Sequence, residues 1–138
     1  MSNVTPFVEY KYEHQFEFSQ EDVNRFAQVT GDNNPIHLDP NYAATTAFKK
    51  PIMHGFLSGS IFSKVFGTIY PGEGTIYIKQ EMLFKRPMFV DIPYFAQFVI
   101  AGIDLQKCTL EVECKVIDSE GKVCIDGKAL LMNKRIFE

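Results

Sequence analysis

Hydrophobic and polar positions change period three times along the chain. In FVEYKYEHQFEFS, 7 to 19, aromatic residues alternate with charged ones: Phe7, Tyr10, Tyr12, Phe16 and Phe18 fall mostly two apart. That spacing predicts a strand with one wet face. Ser19 then fits a helix N-cap, followed by Gln20, Glu21 and Asp22 in a first turn where negative charge favours the dipole. Val23, Phe26 and Ala27 lie at helical spacing, so 20 to 29 is predicted as a short amphipathic helix. A polar turn follows, and Asp39 with Pro40 fits the cap and first position of another short helix ending near Thr45. From Gly55 to Ile69 apolar and small residues occur on every side, with Lys64 as the lone charge. A helix apolar all round is a buried one.

After the PGEG turn at 71 to 74, strand character dominates. TIYIKQEMLFKRP, YFAQFVIAGIDL, CTLEVECKVID and KVCIDGKALLMNKRIF are rich in β-branched and aromatic residues with frequent alternation. SEG and GIDLQK supply hairpin connections. With the first strand, the pattern predicts an α+β fold. One long central helix is wrapped by a five- or six-stranded antiparallel sheet, in a single domain spanning 1–138.

Composition narrows the function classes. The chain is 46% hydrophobic and carries a net charge of −3, which gives no electrostatic reason to expect nucleic acid or an anionic membrane surface. MSNVTPFVEYKYEHQF lacks the apolar run of a secretory leader, and no window is long enough to span a membrane. Cys108, Cys114 and Cys124 form an odd set without CxxC spacing, as expected of reduced thiols in a cytoplasmic protein rather than metal ligands.

The densest chemistry lies in TGDNNPIHLDP, 30 to 40. Gly31 permits an unusual backbone angle and Pro35 pushes Asn34 out of the helical region, so a loop is expected between Asp32 and His37. Such a loop can turn a carboxylate and an imidazole toward one point, as general acid–base work on a water requires. Asn34 could orient that water or brace the loop. Asp and Asn also bond their own backbone in turns, so a purely structural turn is the alternative. In PIMHGFLSGS, Gly55 opens the apolar helix, and its amide lacks an intrahelical acceptor. A ligand oxygen could approach there and be stabilised as it gained charge, although Gly55 could equally just mark the turn. His54 could carry a proton or hold structure. Ser58, Ser60 and Ser63 could bond back to helix carbonyls or face a pocket.

Taken together, residues 26 to 67 resemble the hydratase signature of the MaoC-like, (R)-specific enoyl-CoA hydratases: A-x-x-[ST]-x-D-x-N-P-[IL]-H-x-D, then A-x-x-x-x-F, then P-I-x-H-G. Here the pattern is met by Ala27, Thr30, Asp32, Asn34, Pro35, Ile36, His37, Asp39, Ala43, Phe48, Pro51, Ile52, His54 and Gly55. A weaker likeness runs through 74 to 89, and Asp91-Ile92-Pro93 departs from the family's usual Gly-Asp turn. The resemblance implies a hot-dog fold, a homodimer and a 3-hydroxyacyl-thioester dehydratase or hydratase activity. It implies Asp32 and His37 as the catalytic pair and Gly55 as the donor to the thioester carbonyl. Asn34, Phe48, His54 and Ser63 would be substrate-binding residues, and no metal is implied. No separate cofactor is expected, since coenzyme A or acyl-carrier pantetheine would arrive as part of the substrate. Lys49, Lys50, Lys79, Lys85 and Arg86 flank the site in sequence and either meet carrier phosphates or form solvated faces. The alternatives are a hot-dog acyl-CoA thioesterase or a non-catalytic acyl-thioester-binding subunit.

Overall fold

A computed structural model describes residues 4–138, so the first three residues of the stretch examined for a leader lie outside it. The elements are β1 (Lys11–Phe16), α1 (Gln20–Thr30), α2 (Pro35–Leu38), α3 (Pro40–Ala44), α4 (Gly55–Thr68), β2 (Ile76–Phe84), β3 (Tyr94–Asp104), β4 (Thr109–Ile117) and β5 (Val123–Met132), with a terminal 3-10 turn at Arg135–Phe137. The strands form one antiparallel sheet in the order β1-β3-β4-β5-β2. The predicted α+β class holds, with five strands among the described residues, in the hot-dog arrangement of a long helix packed on an antiparallel sheet.

The aromatic alternation of the N-terminus produces a shorter strand than expected. Residues 8 and 9 turn, Glu9 takes a positive φ of 74°, and pairing with β3 begins at Lys11 opposite Val99. The helix α1 starts where the cap chemistry placed it. Ser19 Oγ accepts from the Asp22 amide at 3.1 Å, and Asp22 Oδ2 accepts from the Ser19 amide at 2.9 Å. This reciprocal pair satisfies two otherwise orphaned donors. Ser19→Ala is expected to cost about 1 kcal/mol, measured as a lower urea midpoint at unchanged m-value.

The helix α4 lies across the sheet. Phe62 and Phe66 meet Phe98 of β3 edge-on at 5.9 and 5.3 Å, and Tyr12 stacks on the same ring at 4.8 Å. Helix and sheet thereby share one core. The helix is not buried all round, contrary to the expectation from its composition. Phe56 is 73% exposed, and Ser60, Ser63 and Lys64 are exposed beside it. A single sheet covers only one side of a helix, and here the open side adjoins the edge strand β2, whose Ile76, Ile78 and Leu83 are also exposed.

Between α3 and α4, residues 51 to 54 belong to neither helix. The Ile52 amide donates to the Ile36 carbonyl at 3.2 Å and the Met53 amide to Met88 at 2.8 Å. These two bonds set the start of α4 against the polar turn.

Candidate active site

The polar turn is built by consecutive caps. Gly31 ends α1 in the left-handed region, φ 79°, and its amide donates to Ala27, which turns the chain sharply away from the helix axis. Thr30 Oγ1 accepts from the Asp32 amide at 3.1 Å. Asn34 Oδ1 accepts from the Ile36 amide at 3.2 Å and so caps α2, with Pro35 at its first position. The expected loop is therefore partly a single helical turn, and His37 rides on it.

Hydrogen bonds fix the two imidazoles. His37 Nδ1 lies 2.7 Å from the Ile52 carbonyl, and His54 Nε2 lies 2.8 Å from the Asp32 carbonyl. A carbonyl oxygen only accepts, so each of these nitrogens carries a proton. His37 is left with a lone pair on Nε2. The rings lie 4.0 Å apart at 32°, and Phe26 packs against His54 at 4.7 Å. Donor atoms of Asp32, His37 and His54 all come within 4.8 Å of one another. This is a ligand-like set by residue type. The proton on His54 Nε2, however, leaves that ring only its buried, unpartnered Nδ1 to offer, so the cluster is better suited to proton handling than to a cation.

His37 and Gly55 share a cavity of about 460 Å³, whose other walls include Phe48, Met53, Phe84 and Arg86. Gly55 is the first residue of α4, so its amide is one of the helix's orphan donors. A Cβ at this position would sit 3.0 Å from the Phe84 ring. Only glycine leaves that approach open without moving Phe84. Burial holds the His37 imidazole below its usual range. The His54 ring pushes the same way, while the Ile52 carbonyl and the Asp32 carboxylate pull back.

The residues singled out in the sequence fall into three places. His37 and Gly55 line the cavity, and Asp32, exposed and outside its lining, has a carboxylate oxygen within 4.8 Å of a His37 ring nitrogen. Phe48 lines the same cavity. Asn34 is occupied as a cap, the bracing role. His54, expected at the substrate, is instead 1% exposed and lies behind the turn, holding the Asp32 backbone. Ser63 lies in a second groove with Thr30, Phe56 and Met82, outside the cavity of His37 and Gly55. Ser58 lines the first cavity, but its hydroxyl bonds back to the His54 carbonyl at 3.1 Å. Sequence reading missed Gln20, which donates to the His37 carbonyl at 3.0 Å, and the Met88 and Ile125 walls. Nothing in the spacing of those residues signals the site, because tertiary contacts alone bring them there.

Comparison with known proteins gives the family and the fold. The MaoC like domain family matches residues 3–123. The chain is 37% identical over 114 residues to an (R)-specific enoyl-CoA hydratase of Aeromonas caviae, covering 83% of this chain and 85% of that protein. It is 39% identical over 116 residues to an (R)-specific enoyl-CoA hydratase of Rhodospirillum rubrum, covering 83% and 78%. The solved structure of an (R)-hydratase from A. caviae superposes with a TM-score of 0.89 at 34% identity, over 94% of this chain and 98% of that one.

Proposed function

The chain belongs to the MaoC-like domain family, and from that premise we propose that it is a hydro-lyase adding water reversibly to trans-2-enoyl thioesters to give (R)-3-hydroxyacyl thioesters. The observation that supports the reading is one cavity lined by both Gly55 and His37, with the Asp32 carboxyl within 4.8 Å of the His37 ring. The thioester oxygen rests on the Gly55 amide, where negative charge grows as the enolate forms. Asp32 and His37 hold the attacking water between them. The water oxygen bonds to Cβ, one of its protons passes to the pair, and the pair returns a proton to Cα. The oxygen and two hydrogens of the water are thus all accounted for across the former double bond.

The substrate brings its own carrier, coenzyme A or the pantetheine of an acyl carrier protein, and the residues described need no further cofactor for these steps. The uncovered side of α4 adjoins the exposed edge of β2, where Phe56 and Ile78 line one groove and Phe84 is half exposed beside Phe56, which supports a homodimer joined there. No helix among the described residues is long and apolar enough to cross a membrane. The three free cysteines, two of them buried, support a reducing cytoplasmic setting.

The test follows the enoyl-thioester absorbance with purified protein. Its decay, with the carrier thiol still acylated, supports hydration. Release of free thiol or binding without turnover overturns it. The pH profile adds a second check. His37 works through its lone pair, protonation removes that lone pair, and its pKa is depressed mainly by burial. The acid limb of kcat/KM is therefore expected to lie below the ordinary histidine value of about 6.5. A limb above that value would take His37 out of the base role.

A further inference from the structure

The wall of the catalytic cavity at Lys85, Arg86 and Pro87 is shared with a second hollow, of about 580 Å³, whose other sides are Lys122 and Val123. Three cationic side chains and no carboxylate line this outer space. The wall is held in place by its backbone: the amides of Lys85 and Arg86 both donate to the Cys124 carbonyl, at 2.8 and 3.3 Å. The start of β5, and Lys122 just before it, are thereby pinned beside Arg86.

Of the three cations on this wall, Arg86 is the one without a carboxylate partner among the described residues. Arg25 is paired with Glu21 at 2.8 Å and Arg135 with Glu73 at 3.0 Å. Lys85 reaches Asp126 only at 3.9 Å, and Lys122 meets Glu120 at 3.1 Å with both groups half exposed or more. In a chain of net charge −3, an exposed guanidinium without a partner, at the mouth of the cavity, needs a reason. A guanidinium fork matches two phosphate oxygens at once, and flanking ammonium groups add charge without geometry.

We infer that Arg86, with Lys85 and Lys122, binds the phosphate carried at the far end of the thioester's pantetheine arm. This rests on the hydration reading, which places the thioester carbonyl at Gly55 and sends the arm outward along the cavity. The acyl end then needs no charge recognition, and the phosphate end supplies ground-state binding alone. Of the cations flanking the site in sequence, Lys79 faces the separate groove of Ser63, and Lys50 lies over the Phe89 ring at 4.4 Å. Neither lines the outer hollow.

The experiment compares wild type with the double variant Arg86→Gln/Lys122→Gln on one short trans-2-enoyl group carried by coenzyme A, by phosphopantetheine and by pantetheine without phosphate. With the coenzyme A thioester the variant's KM is expected to rise about tenfold or more, kcat staying within about twofold. With the phosphate-free thioester both constants should match wild type. Added salt should raise the wild-type KM for the phosphorylated substrates only. Equal KM values for both proteins on the coenzyme A thioester, or an equal rise on all three, would overturn the assignment. If phosphopantetheine behaves as coenzyme A does, the bound group is the phosphate common to every carrier. If it behaves as pantetheine does, the phosphate at the end of the arm is not the group bound and the assignment falls. Should wild type hydrate none of the three, the hydration reading fails. Calorimetric titration of coenzyme A alone then decides the phosphate site, which stands if the variant binds more weakly and falls if the two proteins bind alike.

Discussion

Asp32→Asn and His37→Asn are each expected to lower kcat for enoyl-thioester hydration by about 10²–10⁴-fold, the usual worth of one acid–base group. Neither change should disturb the fold. Asp32 is exposed, and the contact that anchors its segment is its backbone carbonyl, which accepts from His54 and survives substitution of the side chain. Asn at 37 sets its Nδ2–H close to where the ring Nδ1–H meets the Ile52 carbonyl, while losing the basic ring nitrogen. Melting temperatures near wild type are therefore part of the expected result. KM should change little, since the loss is of an interaction made in the transition state. If Asp32 and His37 act on one water as a unit, the double variant should be scarcely slower than the worse single one. Near wild-type kcat in both singles would leave the pair as a structural turn.

How far this site is legible in the chain depends on the range of the interactions that build it. Local chemistry read well. Ser19 and Asp39 cap the helices they were expected to cap, and the four C-terminal strands lie where alternation placed them. Side chains whose direction depends on distant partners read poorly. His54 and Gly55 are neighbours in sequence, yet one faces the cavity and the other points behind it, because α4 begins between them. Ser58 and Ser63 differ by five positions on a helix, more than one turn, and so open onto different spaces. The composition of α4 suggested full burial, but one sheet covers one face, and the apolar remainder reports a surface rather than a core. Arg86 shows the reverse case. Its place in sequence left both a carrier-phosphate contact and a solvated face open, and it is the lack of a carboxylate partner among the described residues that separates it from the other cations on its wall.

The oxyanion role of Gly55 can be separated from its shape, because the backbone at this point tolerates proline. Gly55 is the first residue of α4, where proline is favoured and its missing N–H breaks no helical bond. The preceding His54 has ψ 137°, inside the range that a following proline imposes. Gly55→Pro is therefore expected to fold and to lower kcat by about 10²–10³-fold, the cost of one oxyanion donor. Gly55→Ala is the control. It adds the Cβ that meets Phe84 at 3.0–3.3 Å but keeps the N–H, and Phe84, 47% exposed, has room to yield. A modest loss in the alanine variant with a large one in the proline variant assigns the effect to the amide proton or to the ring atom standing in its place, and either locates the substrate carbonyl there. Equal losses would mean that crowding against Phe84 accounts for both. Equal, near wild-type rates would remove Gly55 from the chemistry and leave the charge developing on the substrate without a donor at this helix start.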